Sequence, residues 1–282
     1  MFTNVLVGVD GRSSGRDAVA LARRLAAPGT KLTLAHVRAG FTHPLQAATP
    51  VLLAEEAEES ERLLREELEH AGGEASTVSV VAGAPGAGLH SQAEQQGADL
   101  LVVGSCSRGL LGRAMIGDDT RASLNGAPCA VAIASRGYDE HPRPLKKVGV
   151  AYNGSPEASH ALEVAREVAG AAGAELHALE IVSIPTYAFT GLIPAAFGET
   201  VDVMLAEADA RMHALEGVQG RAVYGLAGEE LAAFGDELDL LVAGSRGYGP
   251  VHRLVSGSTT DYLQRHARCS LLVLPRREAA EQ

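Results

Sequence analysis

The sequence predicts an α/β protein that contains two copies of a doubly wound domain, each with a five-stranded parallel sheet. Apolar runs typical of buried strands alternate with longer segments of helical periodicity, in the order βαβαβαβαβ in each half of the chain. Matching residues also recur 140 positions apart, as in the pair Asp99 and Asp239 and the pair Gly104 and Gly244. Because strand–helix–strand units join parallel strands through right-handed crossovers, both halves are expected to share one topology.

The strands of the first half are continuous apolar runs, which indicates that helices cover both faces of the sheet. They are predicted at residues 4–9, 31–37, 77–81, 99–103 and 129–134. Helices are predicted between them, at residues 13–27, 51–71, 85–96 and 120–124. Ser13 or Ser14 is expected to cap the first helix, and Pro50 is expected in the loop before the second.

The second half repeats this alternation after a linker at residues 138–146, which carries two prolines and mixed charge. Its strands are predicted at residues 147–152, 175–182, 220–224, 239–244 and 269–274. Its helices are predicted at residues 156–171, 199–215, 229–236 and 259–266, with Pro156 in the first turn, where helices accept proline. The predicted domains are therefore residues 1–137 and 147–282.

The composition is that of a folded protein, with 282 residues, 46% of them apolar and 21% charged, which suits two domains. A formal net charge of −11 argues against nucleic acid as a partner, because its phosphates repel an acidic surface. The chain shows no apolar run of about 20 residues and no basic segment followed by an apolar one at its N-terminus. Neither membrane insertion nor secretion is therefore expected, and a cytoplasmic location is predicted.

The cysteines and histidines do not form a recognisable metal-binding pattern. Cys129 and Cys269 occupy equivalent positions at the start of apolar strands, which is typical of small core residues, and Cys106 leaves the count odd. The spacings CxxC and HExxH do not occur. No metal site is predicted.

The clearest candidate for chemistry is the segment GSRGYGPVHRLVSGS at residues 244–258, which has the spacing G-x2-G-x9-G-[ST]. It follows the apolar run at 240–243 and precedes the helix predicted at 259–266. Glycines let a backbone approach an anion closely, and the free N–H groups and the dipole of a following helix favour negative charge. The segment therefore predicts a phosphate-binding loop.

The equivalent segment of the first half, GSCSRGLLGRAMIGD at residues 104–118, departs from this spacing at two positions. Ser107 stands where the second half has Gly247, and Asp118 stands where it has Ser258. Two unit charges about 4 Å apart repel by roughly 4 kcal/mol at an effective dielectric constant of about 20, or about three orders of magnitude in affinity. Asp118 is therefore expected to weaken phosphate binding in the first half and to cap its own helix instead.

These residues resemble the universal stress protein family. The resemblance rests on the G-x2-G-x9-G-[ST] loop, on first strands that lead into Asp-Gly or Asn-Gly-Ser-Pro, and on a last apolar strand after Ala-Pro-Cys, and it covers both halves. It implies a tandem, Rossmann-like protein with strand order 3-2-1-4-5 in each half. It also implies a role in stress response and an adenine nucleotide, ATP with or without Mg²⁺, across the carboxyl ends of strands one and four.

Carried onto this sequence, the resemblance implies a nucleotide site in the second half. The strand-end residues would contact the base and ribose, although Asn153 stands where the family usually has Asp, and the loop residues would contact the phosphates. The implied residues are Ala151, Tyr152, Asn153, Ile181, Val182, Ala243, Gly244, Ser245, Arg246, Gly247, Arg253, Gly257, Ser258, Thr259 and Thr260. A second site in the first half, weakened by Asp118, would use Asp10, Gly104 and Gly117.

Three functional hypotheses remain open on the sequence. The first is a nucleotide-binding regulatory protein with an unknown protein partner. The second is a slow ATPase or phosphotransferase that uses the same loop, for which His252 is the nearby candidate base. The third is an interaction module that binds no nucleotide. ATP turnover that is lost on replacing His252 would favour the second, and no binding at millimolar nucleotide would favour the third.

The last strand of each half is expected to lie at the edge of its sheet. Residues 129–134 (CAVAIA) and 269–274 (CSLLVL) carry no charge, and proline borders them only outside the strands. The two edges are therefore expected to pair antiparallel and form an internal pseudo-dimer. Any homodimer would then use another surface.

Overall fold

The computed structural model describes residues 1–39, 50–72, 75–82, 84–105, 118–141, 144–183, 197–245, 253–254 and 257–276. The first half contains the strands β1 (Val5–Gly8), β2 (Leu32–Ala39), β3 (Ala75–Ala82), β4 (Leu100–Gly104) and β5 (Ala130–Ala134), with the helices α1 (Ser13–Leu25), α2 (Pro50–His70), α3 (Pro85–Gln96) and α4 (Asp118–Leu124). The second half contains β6 (Lys147–Ala151), β7 (Glu175–Val182), β8 (Gln219–Tyr224), β9 (Leu240–Gly244) and β10 (Ser270–Leu274), with α5 (Pro156–Ala172), α6 (Phe197–His213), α7 (Ala227–Gly235) and α8 (Ser258–His266).

All ten strands belong to one sheet, in the order β3-β2-β1-β4-β5-β10-β9-β6-β7-β8. Within each half the neighbours are parallel and follow the order 3-2-1-4-5, which confirms the predicted fold class. At the centre β5 and β10 pair antiparallel, with Val131 opposite Val273 and Ile133 opposite Leu271. The predicted pairing of the two last strands is therefore present, and it joins the two sheets into one.

Two apolar clusters cover the two faces of the sheet, and each contains residues of both halves. One cluster packs α1, α2, α5 and α6 against the strands, and it includes Leu21, Leu64 and Met212. The other packs α3, α4, α7 and α8 against the opposite face, and it includes Leu124 and Leu263. Alternate residues of each strand supply the two clusters, as the period of a strand requires. The core is thus continuous across the junction.

An aspartate fixes the start of the first strand in each half. Asp99 accepts hydrogen bonds from the backbone N–H of Thr3 and Asn4 at 2.8 and 3.0 Å. Asp239, its equivalent, accepts from the N–H of Lys146 and Lys147 at 2.7 and 2.9 Å. These carboxylates satisfy backbone donors at the end of the sheet opposite the candidate loop.

Two local predictions were wrong. Neither serine caps α1: the N-cap position is Arg12, without a side-chain cap. Asp10 Oδ1 instead accepts from Arg12 N at 3.2 Å and lies 3.5 Å from Ser14 Oγ, so the carboxylate organises this turn. Pro50 is the first residue of α2 rather than part of the preceding loop, because a helix has no need of the N–H that proline lacks at that position.

Two ion pairs join side chains of the two halves. Arg121 of α4 lies 2.6 Å from Asp261 of α8, and the two positions are equivalent in the tandem repeat. Arg253 lies 2.5 Å from Glu94 of α3. A pairing of two first halves would oppose two arginines at position 121. The charges therefore favour contact between unlike halves.

No helix in the described ranges is long and apolar enough to cross a bilayer. The same ranges contain no group of three or more His, Cys, Asp or Glu residues arranged to hold a metal ion.

Burial is expected to make the thiols of the two central cysteines unreactive in the folded protein. Cys129 and Cys269 are 6% and 8% exposed, as expected of core residues, and burial raises the pKa of both thiols to about 12. In a Cys106→Ser variant we expect neither thiol to react with a disulfide reagent at neutral pH, because the thiolate is the nucleophile. Both should react in guanidinium, and prompt labelling of the native variant would contradict their burial.

A single charge buried at the junction of β5 and β10 is expected to lower the stability of the protein strongly. Val131 is 0% exposed and Val273 is 2% exposed. Replacing either with Lys should lower the free energy of unfolding by about 3 kcal/mol or more, because the ammonium would have no partner between the packed layers. Val203→Lys is the matched control, since Val203 is 58% exposed on α6. Denaturation in urea and small-angle scattering measure stability and compactness. Wild-type values for both core variants would show that the junction does not hold the halves together.

Candidate nucleotide site

A cavity of about 360 Å³ lies at the carboxyl ends of β6 and β9 in the second half. The volume falls within the range of ordinary small-molecule sites, about 300–1,000 Å³. β6 lies between β9 and β7 in the sheet. The connection that leaves β6 runs to β7 on one side, whereas the connection that leaves β9 runs to β10 on the other side. Such a switch point is where open α/β sheets bind ligands, because the two connections diverge and leave a crevice.

Most of the predicted site residues within the described ranges line this cavity. They are Ala151, Tyr152, Asn153, Ile181, Ala243, Gly244, Ser245, Gly257, Thr259 and Thr260. Val182 is buried beside the cavity wall, and Ser258 is the exposed first residue of α8. Arg246, Gly247 and His252 lie outside the described residues.

The glycine at the end of β9 permits close packing of the strand end. A Cβ atom on Gly244 would lie 2.7 Å from the backbone carbonyl oxygen of Glu157 in α5, which is closer than real Cβ contacts. The glycine is therefore required by the approach of α5, which forms one wall of the cavity. This packing is a structural reason for the first glycine of the loop, in addition to any contact with a ligand.

The N-terminus of α8 faces the cavity and lacks a side-chain cap. Its N-cap residue is Gly257, which has no side chain to accept from the first-turn N–H groups. Those groups carry the positive end of the helix dipole. Asp261, the acidic residue of the first turn, lies 2.6 Å from Arg121, so its charge is offset by the other half. This end of the helix is suited to an anion.

Ser245 supplies an unsatisfied polar atom at the same place. It is 4% exposed, and its Oγ has no hydrogen-bond partner among the described residues. A buried hydroxyl without a partner costs about 1–3 kcal/mol. The residues present therefore fit a ligand with an acceptor oxygen near Ser245, as a phosphate group has.

Asn153 is oriented by its own turn. Its Oδ1 accepts from Ser155 N at 3.1 Å, just as Asp10 Oδ1 accepts from Arg12 N in the first half. The Oδ1 atom is therefore engaged, and the exposed side-chain NH₂ group is left as a donor toward the cavity. Asn153 thus keeps the turn geometry of an aspartate while it removes a negative charge from the site.

Arg253 contacts residues of the first half. Its Nη1 donates to the carbonyl oxygen of Gly126 at 3.0 Å, and its Nη2 lies 2.5 Å from Glu94 Oε1. The next residue, Leu254, exchanges backbone hydrogen bonds with the first half: its N–H donates to Ala127 O at 2.9 Å, and its carbonyl accepts from Gly126 N at 2.8 Å. Arg253 therefore binds the loop to the first half rather than lining the cavity.

The first half has a smaller cavity at the equivalent edge, of about 140 Å³. It is lined by Asp10 and Gly104, and also by His36 and Leu89. Burial lowers the pKa of His36, whose Nδ1 lies 2.8 Å from Ser60 Oγ. Asp118 is the first residue of α4, and Gly117 and Ser107 lie outside the described residues. The space between the strand ends is thus less than half of that in the second half.

The sequence did not single out several residues of the larger cavity. Helices and neighbouring strands supply them, namely Ser155, Glu157, Ala158, Leu179, Ala227, Leu231 and Leu263. Ser155 could have been found from the sequence, because Asn-Gly-Ser-Pro predicts a turn followed by a helix N-cap. In the structure its Oγ accepts from Ala158 N at 3.2 Å. The apolar members carry only the helical and strand periodicity of core residues, which does not mark a cavity wall.

The fold defines a doubly wound α/β protein with a crevice at the switch point of each half. The chain belongs to the Universal stress protein family, whose sequence model matches residues 1–135 and 144–275. A Thermus aquaticus protein described as a universal stress protein in the QAH/OAS sulfhydrylase 3' region is 34% identical over 141 residues. That match covers 46% of this chain and 98% of the relative, whose length therefore corresponds to one half.

Two solved structures share the fold over almost the whole chain. A universal stress protein from Archaeoglobus fulgidus has a TM-score of 0.65 and 18% identity, covering 96% of this chain and 98% of its own. A putative universal stress protein from Pseudomonas aeruginosa has a TM-score of 0.61 and 22% identity, covering 97% and 94%. The tandem arrangement thus recurs in other proteins with this fold.

The close approach of α5 to β9 predicts that a methyl group added at Gly244 destabilises the protein. Gly244→Ala should lower the free energy of unfolding by about 1–3 kcal/mol, because the added Cβ meets a backbone carbonyl that cannot move alone. Gly170→Ala is the matched control: a Cβ there meets nothing within 4 Å, and alanine in a helix is about 0.5–1 kcal/mol more favourable than glycine. Chemical denaturation measures both. Equal stability of the two variants would show that Gly244 is not needed for packing.

Proposed function

We propose that the second half binds an adenine nucleotide, ATP in particular, and that the protein acts in stress response as a nucleotide-dependent regulatory module rather than as an enzyme. The observation that carries the proposal is the convergence of three features on one cavity: the Gly-rich strand end at Gly244, the uncapped N-terminus of α8, and the orphaned hydroxyl of Ser245. Each favours an anion with acceptor oxygens.

The rest of the cavity suits a nucleoside. Ile181, Leu179 and Ala151 give it an apolar wall for a base, and Asn153 offers donors for ribose hydroxyls at the edge. Membership of the universal stress protein family, with the resemblance of the loop, favours adenine over other bases. The loop residues Arg246 and Gly247 are included in the proposal on their sequence positions alone.

The difference between the halves bears on stoichiometry. The second half has the larger cavity and Ser258 at the start of its helix, whereas the first half has Asp118 there and a cavity of about 140 Å³. The acidic residue would oppose a phosphate at that helix end. We therefore propose one nucleotide per chain, with the first half in a structural role.

Titration of the full-length protein with ATP tests the proposal. Isothermal calorimetry should give about one site per chain, and the double variant Gly247→Asp with Ser258→Asp should weaken binding by about a thousandfold, as expected from charge repulsion of roughly 4 kcal/mol. A control pair, Val203→Asp with Met204→Asp, adds the same charge on the exposed face of α6 and should leave binding unchanged.

Three outcomes would count against this account. Two equal sites per chain would remove the proposed asymmetry, and unchanged affinity in the loop variant would remove the proposed site. No binding of ATP at millimolar concentration would favour a module without nucleotide. A first-half variant, Ser107→Gly with Asp118→Ser, further tests the role of charge, because it should regain measurable affinity if Asp118 is the main obstacle.

A further inference from the structure

A separate cavity of about 380 Å³ lies between α1, α2 and the start of the linker. Its floor is apolar, formed by Val19, Ala20 and Ala71, and charged side chains surround it. It shares no lining residue with the cavities at the carboxyl ends of the strands. Its volume lies within the range of small-molecule sites.

A buried carboxyl group is the central feature of this cavity. Glu67 of α2 is 1% exposed, and its Oε1 lies 3.5 Å from Arg16 Nε of α1. Its Oε2 is also buried and has no hydrogen-bond partner among the described residues. A buried carboxylate oxygen without a partner is costly, and buried charged groups are normally paired. The free oxygen therefore marks a place for a hydrogen-bond donor.

The rim of the cavity carries basic side chains and one acidic side chain, Asp139. Arg24 and His70 line it, and Arg24 has no hydrogen-bond or ion-pair partner within the described ranges. Arg23 also lines it and donates to the carbonyl oxygen of Ala71, so this arginine braces α1 against α2. An anionic group at the rim would meet the unpaired guanidinium of Arg24, which binds carboxylates through paired N–H donors.

The start of the linker forms the third side of the cavity. Asp17 of α1 is 1% exposed and accepts hydrogen bonds from Gly137 N at 2.9 Å and from Asp139 N at 2.8 Å. The buried carboxylate thus holds the start of the linker against α1, which brings Asp139 to the cavity wall. The cavity is therefore a defined feature of the packed fold.

We propose that this cavity binds a small zwitterion of the free amino acid class. Its ammonium group would donate to the Glu67 carboxylate beside the apolar floor, and its carboxylate would face Arg24 at the rim. The apolar floor would contact the carbon skeleton of the ligand. Burial raises the pKa of Glu67, and Arg16 opposes this effect, so a cationic donor would stabilise the ionised carboxylate as the arginine does.

Binding of free amino acids to the full-length protein tests the proposal. The probes are the proteinogenic L-amino acids, screened by thermal shift and then measured by calorimetry. At least one should bind at millimolar concentration or below. Its N-acetyl derivative, which lacks the ammonium, and its amide, which lacks the carboxylate, should each bind at least about tenfold more weakly, because each loses a charged hydrogen bond.

Single substitutions in the cavity test where the amino acid binds, separately from any binding of nucleotide. Glu67→Gln keeps the size of the side chain and should weaken amino acid binding by roughly ten- to a hundredfold, whereas ATP affinity should not change. Glu69→Gln, an exposed change on the same helix, is the matched control and should leave both unchanged. Arg24→Gln provides a second variant at the exposed rim and should weaken binding of the amino acid but less so of its amide.

The proposal is overturned if no amino acid binds at millimolar concentration, if the blocked derivatives bind as well as the free amino acid, or if Glu67→Gln and Arg24→Gln both bind it like the wild type. Failure of ATP to bind would leave these measurements intact, because they depend on a different cavity.

Discussion

The antiparallel pairing of β5 with β10 is the interaction on which the rest of the molecule depends. Each strand would otherwise present an apolar, uncharged edge to water, which is a hazard for aggregation. Joined at Val131 and Val273, they merge two sheets into one and let a single apolar cluster run across each face. The same pairing brings Arg253 and Leu254 against the first half, where Leu254 exchanges backbone hydrogen bonds with Gly126 and Ala127.

The pairing of the two unlike halves is supported by opposite charges at the pseudo-twofold axis. A pairing of two first halves would oppose two arginines at position 121, whereas here Arg121 meets Asp261. Arg253 and Glu94 form a further ion pair between the halves. Exposed ion pairs contribute little to stability, typically less than about 1 kcal/mol each. The effect of Arg121 and Asp261 is on partner choice, because the repulsion at this position penalises association of two like halves.

The two cavities at the carboxyl ends of the strands differ for physical reasons that are visible in their walls. In the first half the ring of His36 and the side chain of Leu89 line a small space, and α4 begins at an aspartate. In the second half α8 has no side-chain cap at Gly257, and the Ser245 hydroxyl has no hydrogen-bond partner among the described residues. The first half thus has the smaller crevice, of about 140 Å³, and the second half has the larger one, of about 360 Å³.

The sequence by itself determined the alternation of strands and helices, the duplication, and the edge strands that pair, because these follow from hydrophobic period and repeated spacing. It also indicated ten residues of the larger cavity, since glycines and strand ends leave a local signal. Only the tertiary structure decided that Arg253 serves the junction and that helix residues such as Leu231 form the cavity wall. It alone brought Arg16 and Glu67 together across 51 positions of sequence. Contacts of this kind depend on how distant elements pack, and no spacing within a single element records them.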